Sequence, residues 1–252
     1  MQGDNLVEPD WPAPENVQAA VTTRLGGFSK PGFDSYNLAA HVGDDPKAVT
    51  RNRNKLAEQT GLLPEQFCWL DQVHGKQIVS AQAYDAKSGL SLLADGSDST
   101  QPCVACVVLT ADCLPVLLCS LDGARVSAIH AGWRGLASGI LSHAVQRYPN
   151  PEQVMAWLGP AIGPSCFEVG TEVYHAFVSQ CENAKQAFAQ TAKHEKWLAD
   201  LYRLARLQLH AAGVTRVYGG DFCTYTDAER FYSYRRDGTQ SGRMASLIWR
   251  NA

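Results

Sequence analysis

The sequence predicts a mixed α/β fold, closer in its ordering to α+β, and three observations lead there. Strand-like and helix-like runs alternate irregularly instead of in strict βαβ repeats. The 252 residues are 45% hydrophobic, enough for a large core and too apolar for a disordered chain. No internal repeat, low-complexity tract or Pro/Ser-rich linker divides the sequence, so one domain over residues 1–252 is the economical reading.

The elements follow in order. A first strand is expected at 17–23. The helix at 46–60 is the best punctuated element: Asp45 can cap it, Pro46 suits its first position and Gly61 can close it. Residues 67–73 read as a short strand that breaks at His74-Gly75. The apolar runs 103–110 and 114–120 read as buried strands, and 125–130 returns as the hairpin partner of the second. A helix begins after Gly135 and stops before Pro149. Strands at 153–158, 215–219 and 244–249 follow. The stretch 193–212, rich in Leu, Ala, Arg and Gln, is the longest helix candidate and ends at Gly213.

Charge narrows the function. Lys plus Arg total 22 against 25 Asp plus Glu, a formal charge of −3. Arg235, Arg236 and Arg243 form only a short cluster, so no basic track for nucleic acid exists. Residues 1–10 carry Asp4, Glu8 and Asp10 and lack the apolar segment of a secretory signal. The apolar runs fall far short of the ~20 residues that cross a bilayer. A soluble, cytoplasmic protein with no membrane contact and no obligate protein partner is expected. In that setting the eight cysteines are free thiols by default. Cys103, Cys106 and Cys119 lie in apolar runs and read as small core residues.

The chemistry concentrates between Thr110 and Gly135. Asp122-Gly123 between two apolar runs is a strong hairpin signal. A loop centred there pairs positions that sum to 245: Cys119 with Val126, Leu117 with Ala128, Pro115 with His130. Cys113 then becomes the diagonal neighbour of His130, about 7–8 Å away between backbones. Two side chains so placed can converge on one ion. Pro115, lacking an N–H, calls for an edge strand or a bulge. His74, at the break of its strand, can supply a third donor, with Asp71 and Gln72 beside it as orienting groups. Three protein donors and one open position is the pattern of a catalytic zinc site. A thiol hydrolase with Cys113 as nucleophile and His130 as base stays open beside it, as does a closed structural zinc module. His194-Glu195 lacks the second histidine of an HExxH motif, and neither Cys181 nor His210 has a partner in the sequence.

Together, NLAAHVGDD (37–45), WLDQVHG (69–75), TADCLPVLL (110–118), HAGWRGL (130–136), WLGPAIGPSCFEV (157–169), GGDFCTYT (219–226) and FYSYRRDGTQSGRMAS (231–246) carry a resemblance that spans nearly the whole chain. The sequence resembles the laccase-domain purine nucleoside phosphorylase family, formerly called polyphenol oxidase or multicopper oxidase type. The resemblance implies an α/β/β/α sandwich with mixed sheets, similar to the cysteine-hydrolase core of cytotoxic necrotizing factors. It implies zinc on His74, Cys113 and His130, with copper as an alternative occupant. It also implies phosphorolysis of adenosine, inosine and methylthioadenosine, and adenosine deamination; bacterial members are further linked to peptidoglycan precursor editing. A true multicopper oxidase needs many paired HxH ligands, and these seven histidines include none.

A nucleoside and phosphate are therefore the expected small-molecule partners. Arg134, in the turn entering a helix, is the favoured phosphate cradle; Arg51 and Arg243 are weaker candidates. Asn37, His41 and Gln72 are substrate-contact candidates, with turn chemistry an equal reading for Asn37. Asp112 reads as a base or as an orienting acceptor; Cys166 is not read as catalytic. The chain departs from the family pattern at Ala94-Asp95-Gly96 and by an extra residue between Thr239 and Ser241. Neither departure is expected to touch the metal donors.

Overall fold

The computed structural model describes residues 5–86 and 91–252. The first four positions of the N-terminal stretch read above lie outside the described residues. The expected α/β/β/α layering is present. One sheet has five strands in the order Leu6–Val7, Val17–Thr22, Met244–Arg250, Ala105–Thr110, Phe67–Cys68. The other has six: Arg216–Gly219, Val154–Leu158, Leu114–Ser120, Val126–Ala131, Gly96–Ser99, Ile78–Ser80. Both mix parallel and antiparallel pairs.

Burial on both faces explains why these strands read as unbroken apolar runs. Between the sheets, Val21, Val108 and Ile248 of one pack with Leu117, Ala128 and Trp157 of the other. On the outer face of the five-stranded sheet, Val107 and Leu247 meet Leu56 of the helix Pro46–Thr60. On the outer face of the six-stranded sheet, Val116 and Ile129 meet Leu136, Leu141 and Leu204. Each Val, Leu or Ile among them contributes roughly 1.5–3 kcal/mol by leaving water. The helix Pro46–Thr60 has the expected punctuation: the Asp45 carboxylate accepts from Lys47 N at 3.0 Å, and Gly61 closes it with φ +69°.

The hairpin register that places the site holds at every pair. Cys119 faces Val126, Leu117 faces Ala128 and Pro115 faces His130. The connection is a four-residue loop, since Ser120 N donates to Arg125 O. Pro115, however, sits on an inner strand and not at an edge. The pairing with Val154–Leu158 stops at Val116. The Pro115 carbonyl accepts from Gly159 N on that side, so its missing N–H faces the Gly159 carbonyl, which takes the Tyr202 hydroxyl at 3.2 Å instead.

Three other expectations change. Residues 67–73 split into Phe67–Cys68 and Leu70–Asp71, which pair with different neighbours. The helix expected after Gly135 starts earlier, at Trp133, and Gly139 at φ +82° divides it into Trp133–Ala137 and Ile140–Val145. The stretch 193–212 is not one helix. Lys196–Ala199 is the middle strand of a three-stranded sheet with Glu168–Gly170 and Phe188–Gln190. The helix Leu201–Ala211 begins only where Asp200 caps Arg203 N at 2.9 Å.

Candidate metal centre

His74, Cys113 and His130 come together. Their donor atoms all lie within 4.8 Å of one another. The two imidazole centroids are 4.8 Å apart with planes at 76°, so edge and face meet rather than stack. His130 lies at the end of an inner strand and is buried. Cys113 sits in the short link between Ala105–Thr110 of one sheet and Leu114–Ser120 of the other. His74 is solvent-exposed and follows the strand Leu70–Asp71 with a left-handed backbone, φ +60°.

The group that organises this trio is Asp95, fully buried at 0% exposure. Its Oδ1 accepts from His74 N and meets His130 Nδ1, both at 2.8 Å. Its Oδ2 accepts from Gly75 N at 2.7 Å and Val73 N at 3.2 Å. Successive amides around an αL residue form a concave anion nest, and here the anion is a side chain of the same protein. The nest offsets the unfavourable backbone of His74, about 1–2 kcal/mol for a residue with a side chain. Asp95 also fixes a His130 proton on Nδ1, so Nε2 is the nitrogen that faces the sulfur. The family departure beside Asp95, Gly96, faces Ile129, Ala128 and Ile78 and leaves the donors alone, as expected; it is Asp95 itself that touches two of them. Its sequence signal was a lone acid at the mouth of the strand Gly96–Ser99, and that register is visible only in the assembled sheet.

The electrostatics suit a cation. Burial penalises the charged form of Cys113, but His130 and His74 outweigh it and bring the thiol down to about 6. Burial likewise opposes protonated His130, but the Cys113 sulfur and Asp95 raise it to about 9. The sulfur is therefore already in the thiolate form that metals bind, and a metal competes only with the proton on Nε2. One thiolate and two imidazoles form a borderline-soft donor set that fits zinc and also accepts copper.

Gly132 gives the trio its space. A Cβ at this position would lie 2.9 Å from Cys113 Sγ and 3.5 Å from His74 Cδ2. Gly132→Ala is expected to weaken zinc binding about tenfold or more, since displacing a donor or its support has that scale. Competition titration against a chromophoric chelator reads this directly; an unchanged affinity would show that the trio tolerates displacement.

The trio lies in the wall of a cavity of about 400 Å³. Trp133, Phe167 and Tyr234 give it aromatic faces, and His41, Arg235 and Arg243 line it with polar ones. The sequence candidates distribute unevenly around it. Gln72 lines the cavity, but its amide is engaged with Leu109 N at 2.7 Å and Leu109 O at 2.9 Å, extending the sheet like a strand backbone. Asp112 also lines it, with its carboxylate accepting from Thr224 Oγ1 at 2.7 Å and Arg235 N at 2.6 Å. Asn37 is buried and does not line the cavity; its Oδ1 accepts from Ala39 N at 3.0 Å and Arg243 N at 2.9 Å. Arg134 is exposed, lies over the Trp133 ring at 4.5 Å and is not among the lining residues. Arg51 lies elsewhere, over Phe28 at 3.9 Å. Arg243, rated below Arg134 from sequence, is the guanidinium that reaches the cavity, joined by Arg235.

Fold and site together define a four-layered α/β protein with a His–Cys–His centre in the wall of a ligand-sized cavity. The chain belongs to the family described as multi-copper polyphenol oxidoreductase laccase, which matches residues 18–251. It is 53% identical over 242 residues to a purine nucleoside phosphorylase of Pseudomonas aeruginosa, covering 96% of each chain. It is 50% identical over 247 residues to the purine nucleoside phosphorylase YfiH of Escherichia coli, covering 97% of this chain and 98% of that one. A crystal structure of a Neisseria meningitidis protein superposes with a TM-score of 0.92 at 47% identity, covering 98% of this chain and 100% of the other. That of YlmD from Geobacillus stearothermophilus gives 0.88 at 30% identity, covering 98% and 97%. Among the described residues the His, Cys and carboxylate donors converge in one cluster, which matches a single-metal centre and not the several coppers of the family description. No helix among the described residues is long and apolar enough to cross a membrane.

Proposed function

We propose that this chain is a zinc-dependent purine nucleoside phosphorylase acting on adenosine, inosine and methylthioadenosine, with adenosine deamination as a second outcome in the same cavity. The observation that carries the reading is one cavity that joins aromatic walls, two guanidinium groups and the His–Cys–His donors. A purine needs flat apolar faces, phosphate needs a cationic fork, and about 400 Å³ falls within the range of small-ligand pockets.

Arg243 is the anchor for phosphate. Its Nη1 is held by the carbonyls of Ser241 and Gly242, which fixes the fork and leaves its other N–H groups for an anion. Burial holds its pKa below the ordinary arginine value, yet the group stays cationic at neutral pH. Arg235 is fixed in turn by Glu168 O at 2.9 Å. Burial, then Arg243, lowers the pKa of His41, so at neutral pH its ring is uncharged and offers a lone pair beside the arginines. Trp133 and Phe167 hold the base and exclude water from the glycosidic carbon. Zinc, when bound by His74, Cys113 and His130, supplies Lewis acidity to an oxygen or nitrogen of the reacting molecule. Asp95 keeps the Nδ1 proton on His130 throughout, so the ring orientation does not drift between turnovers.

The test uses zinc-loaded protein with adenosine or inosine, with and without phosphate, beside His130→Ala. Phosphate-dependent release of free base and ribose 1-phosphate, lost in the variant, is expected. Equal release by His130→Ala would remove the reading.

A further inference from the structure

The motifs at 157–169 and 219–226 each bring a cysteine that the metal centre does not use. Cys166 and Cys223 flank Gly163, one on its carbonyl and the other on its amide. Gly163 N donates to Cys223 Sγ at 3.2 Å, while Gly163 O accepts from Cys166 N at 3.0 Å. A Cβ on Gly163 would stand 3.0 Å from the Cys223 sulfur, so only glycine lets this amide close on it. The Thr226 hydroxyl and the amides of Tyr225 and Thr226 add favourable interactions to the same thiolate, while the hydroxyl's own hydrogen bond goes to the Cys223 carbonyl at 3.5 Å. Both cysteines are partly exposed, and neither is disulfide-bonded.

We propose that Cys223 and Cys166 are a hydroperoxide-reactive thiol pair, with Cys223 the attacking sulfur and Cys166 the resolving one. The converging N–H and O–H donors favour a thiolate at Cys223, the form that attacks peroxides. Burial opposes that charge, but the donors outweigh it and bring the Cys223 thiol below its ordinary range. At Cys166 burial prevails, with Cys223 adding to it, so this thiol stays protonated and waits. In the first step the Cys223 thiolate attacks one oxygen of the hydroperoxide. The O–O bond breaks, the sulfur loses two electrons and becomes a sulfenic acid, and the departing oxygen takes a proton and leaves as water or alcohol. In the second step the Cys166 sulfur attacks the Cys223 sulfur, the S–O bond breaks and water leaves. The disulfide then joins the segments 159–167 and 220–226. Both segments are already tied to the cavity wall, through Ile162 N to Asp112 O at 3.0 Å and Thr224 Oγ1 to Asp112 Oδ1 at 2.7 Å.

The test treats the full-length, zinc-loaded wild-type protein with low-molar-excess hydrogen peroxide and maps each cysteine by non-reducing peptide mass spectrometry. Exposed Cys181 serves as the internal reference thiol. The expected result is a peptide pair linked through Cys166 and Cys223, reversed by dithiothreitol. Cys223 should be lost several-fold faster than Cys181, because the share present as thiolate raises the rate more than its lower basicity reduces it. Cys166→Ser should leave a sulfenic acid on Cys223 that dimedone traps. Loss of Cys181 at the same rate or faster would overturn the assignment of Cys223 as the attacking sulfur. Direct passage of Cys223 to sulfinic acid in wild type, with Cys166 still a free thiol, would overturn the pairing.

Discussion

Replacing Asp95 with alanine is expected to cost the protein both its metal and roughly 3–5 kcal/mol of stability, the scale reached when a buried network loses its acceptor. The amides of Val73, His74 and Gly75 and the Nδ1–H of His130 all end on this carboxylate, which is inaccessible to solvent. Each buried donor left without a partner costs about 1–3 kcal/mol, less what entering water recovers. In a chain of this length the melting temperature should fall by about 10 °C. Zinc affinity should fall 10–100-fold or more, the usual scale for losing an orienting group. Asn is no rescue. Its NH2 must replace one carboxylate oxygen and will meet either His74 N and His130 Nδ1 or Val73 N and Gly75 N, donors against donors. Scanning calorimetry and metal titration on Asp95→Ala and Asp95→Asn decide the matter. Two variants that melt like wild type and hold a full equivalent of zinc would show that the nest is dispensable.

The second large effect separates metal from thiol chemistry at the same residue. Stripping the metal with a chelator should reduce phosphorolysis about a thousandfold, since Lewis-acid stabilisation is worth several kcal/mol. Zinc should then restore it. Cys113→Ala should match the chelated protein and fail to recover with zinc. If Cys113 acted instead as a nucleophile with His130 as its base, chelation would leave the rate intact or raise it by freeing the thiolate. Full activity in the presence of chelator, abolished by Cys113→Ala, is the result that would replace the metal mechanism.

Much of this centre was readable before folding because a short, local rule places it. Asp122-Gly123 sets the hairpin, the hairpin sets the pairing sum, and the sum puts Cys113 near His130. The rule failed where pairing is distant in sequence. Asp95 reaches His130 from the neighbouring strand Gly96–Ser99, and no local pattern encodes that strand's register. Arg134 was favoured for its place at a helix start, yet that helix, Trp133–Ala137, is a single short turn and carries the side chain outward. Arg243 was undervalued because its anchor, Asn37, lies 206 positions away. The stretch 193–212 misled in the other direction: composition favoured helix throughout, while strand partners at 168–170 and 188–190 captured its first half. Asp200 was the local mark of the true start.

The donors and the walls of the cavity belong to different kinds of scaffold. His130 and Cys113 stand at the ends of buried strands and His74 is clamped to a third, so their positions come with the frame of the molecule. Phe167, Tyr234 and Arg243 lie on or beside connecting segments that are stapled to that frame by a few polar contacts. Inheritance can therefore rewrite what the chamber admits while its reactive heart stays put. One framework can in this way host relatives with different chemical appetites without rebuilding its foundation.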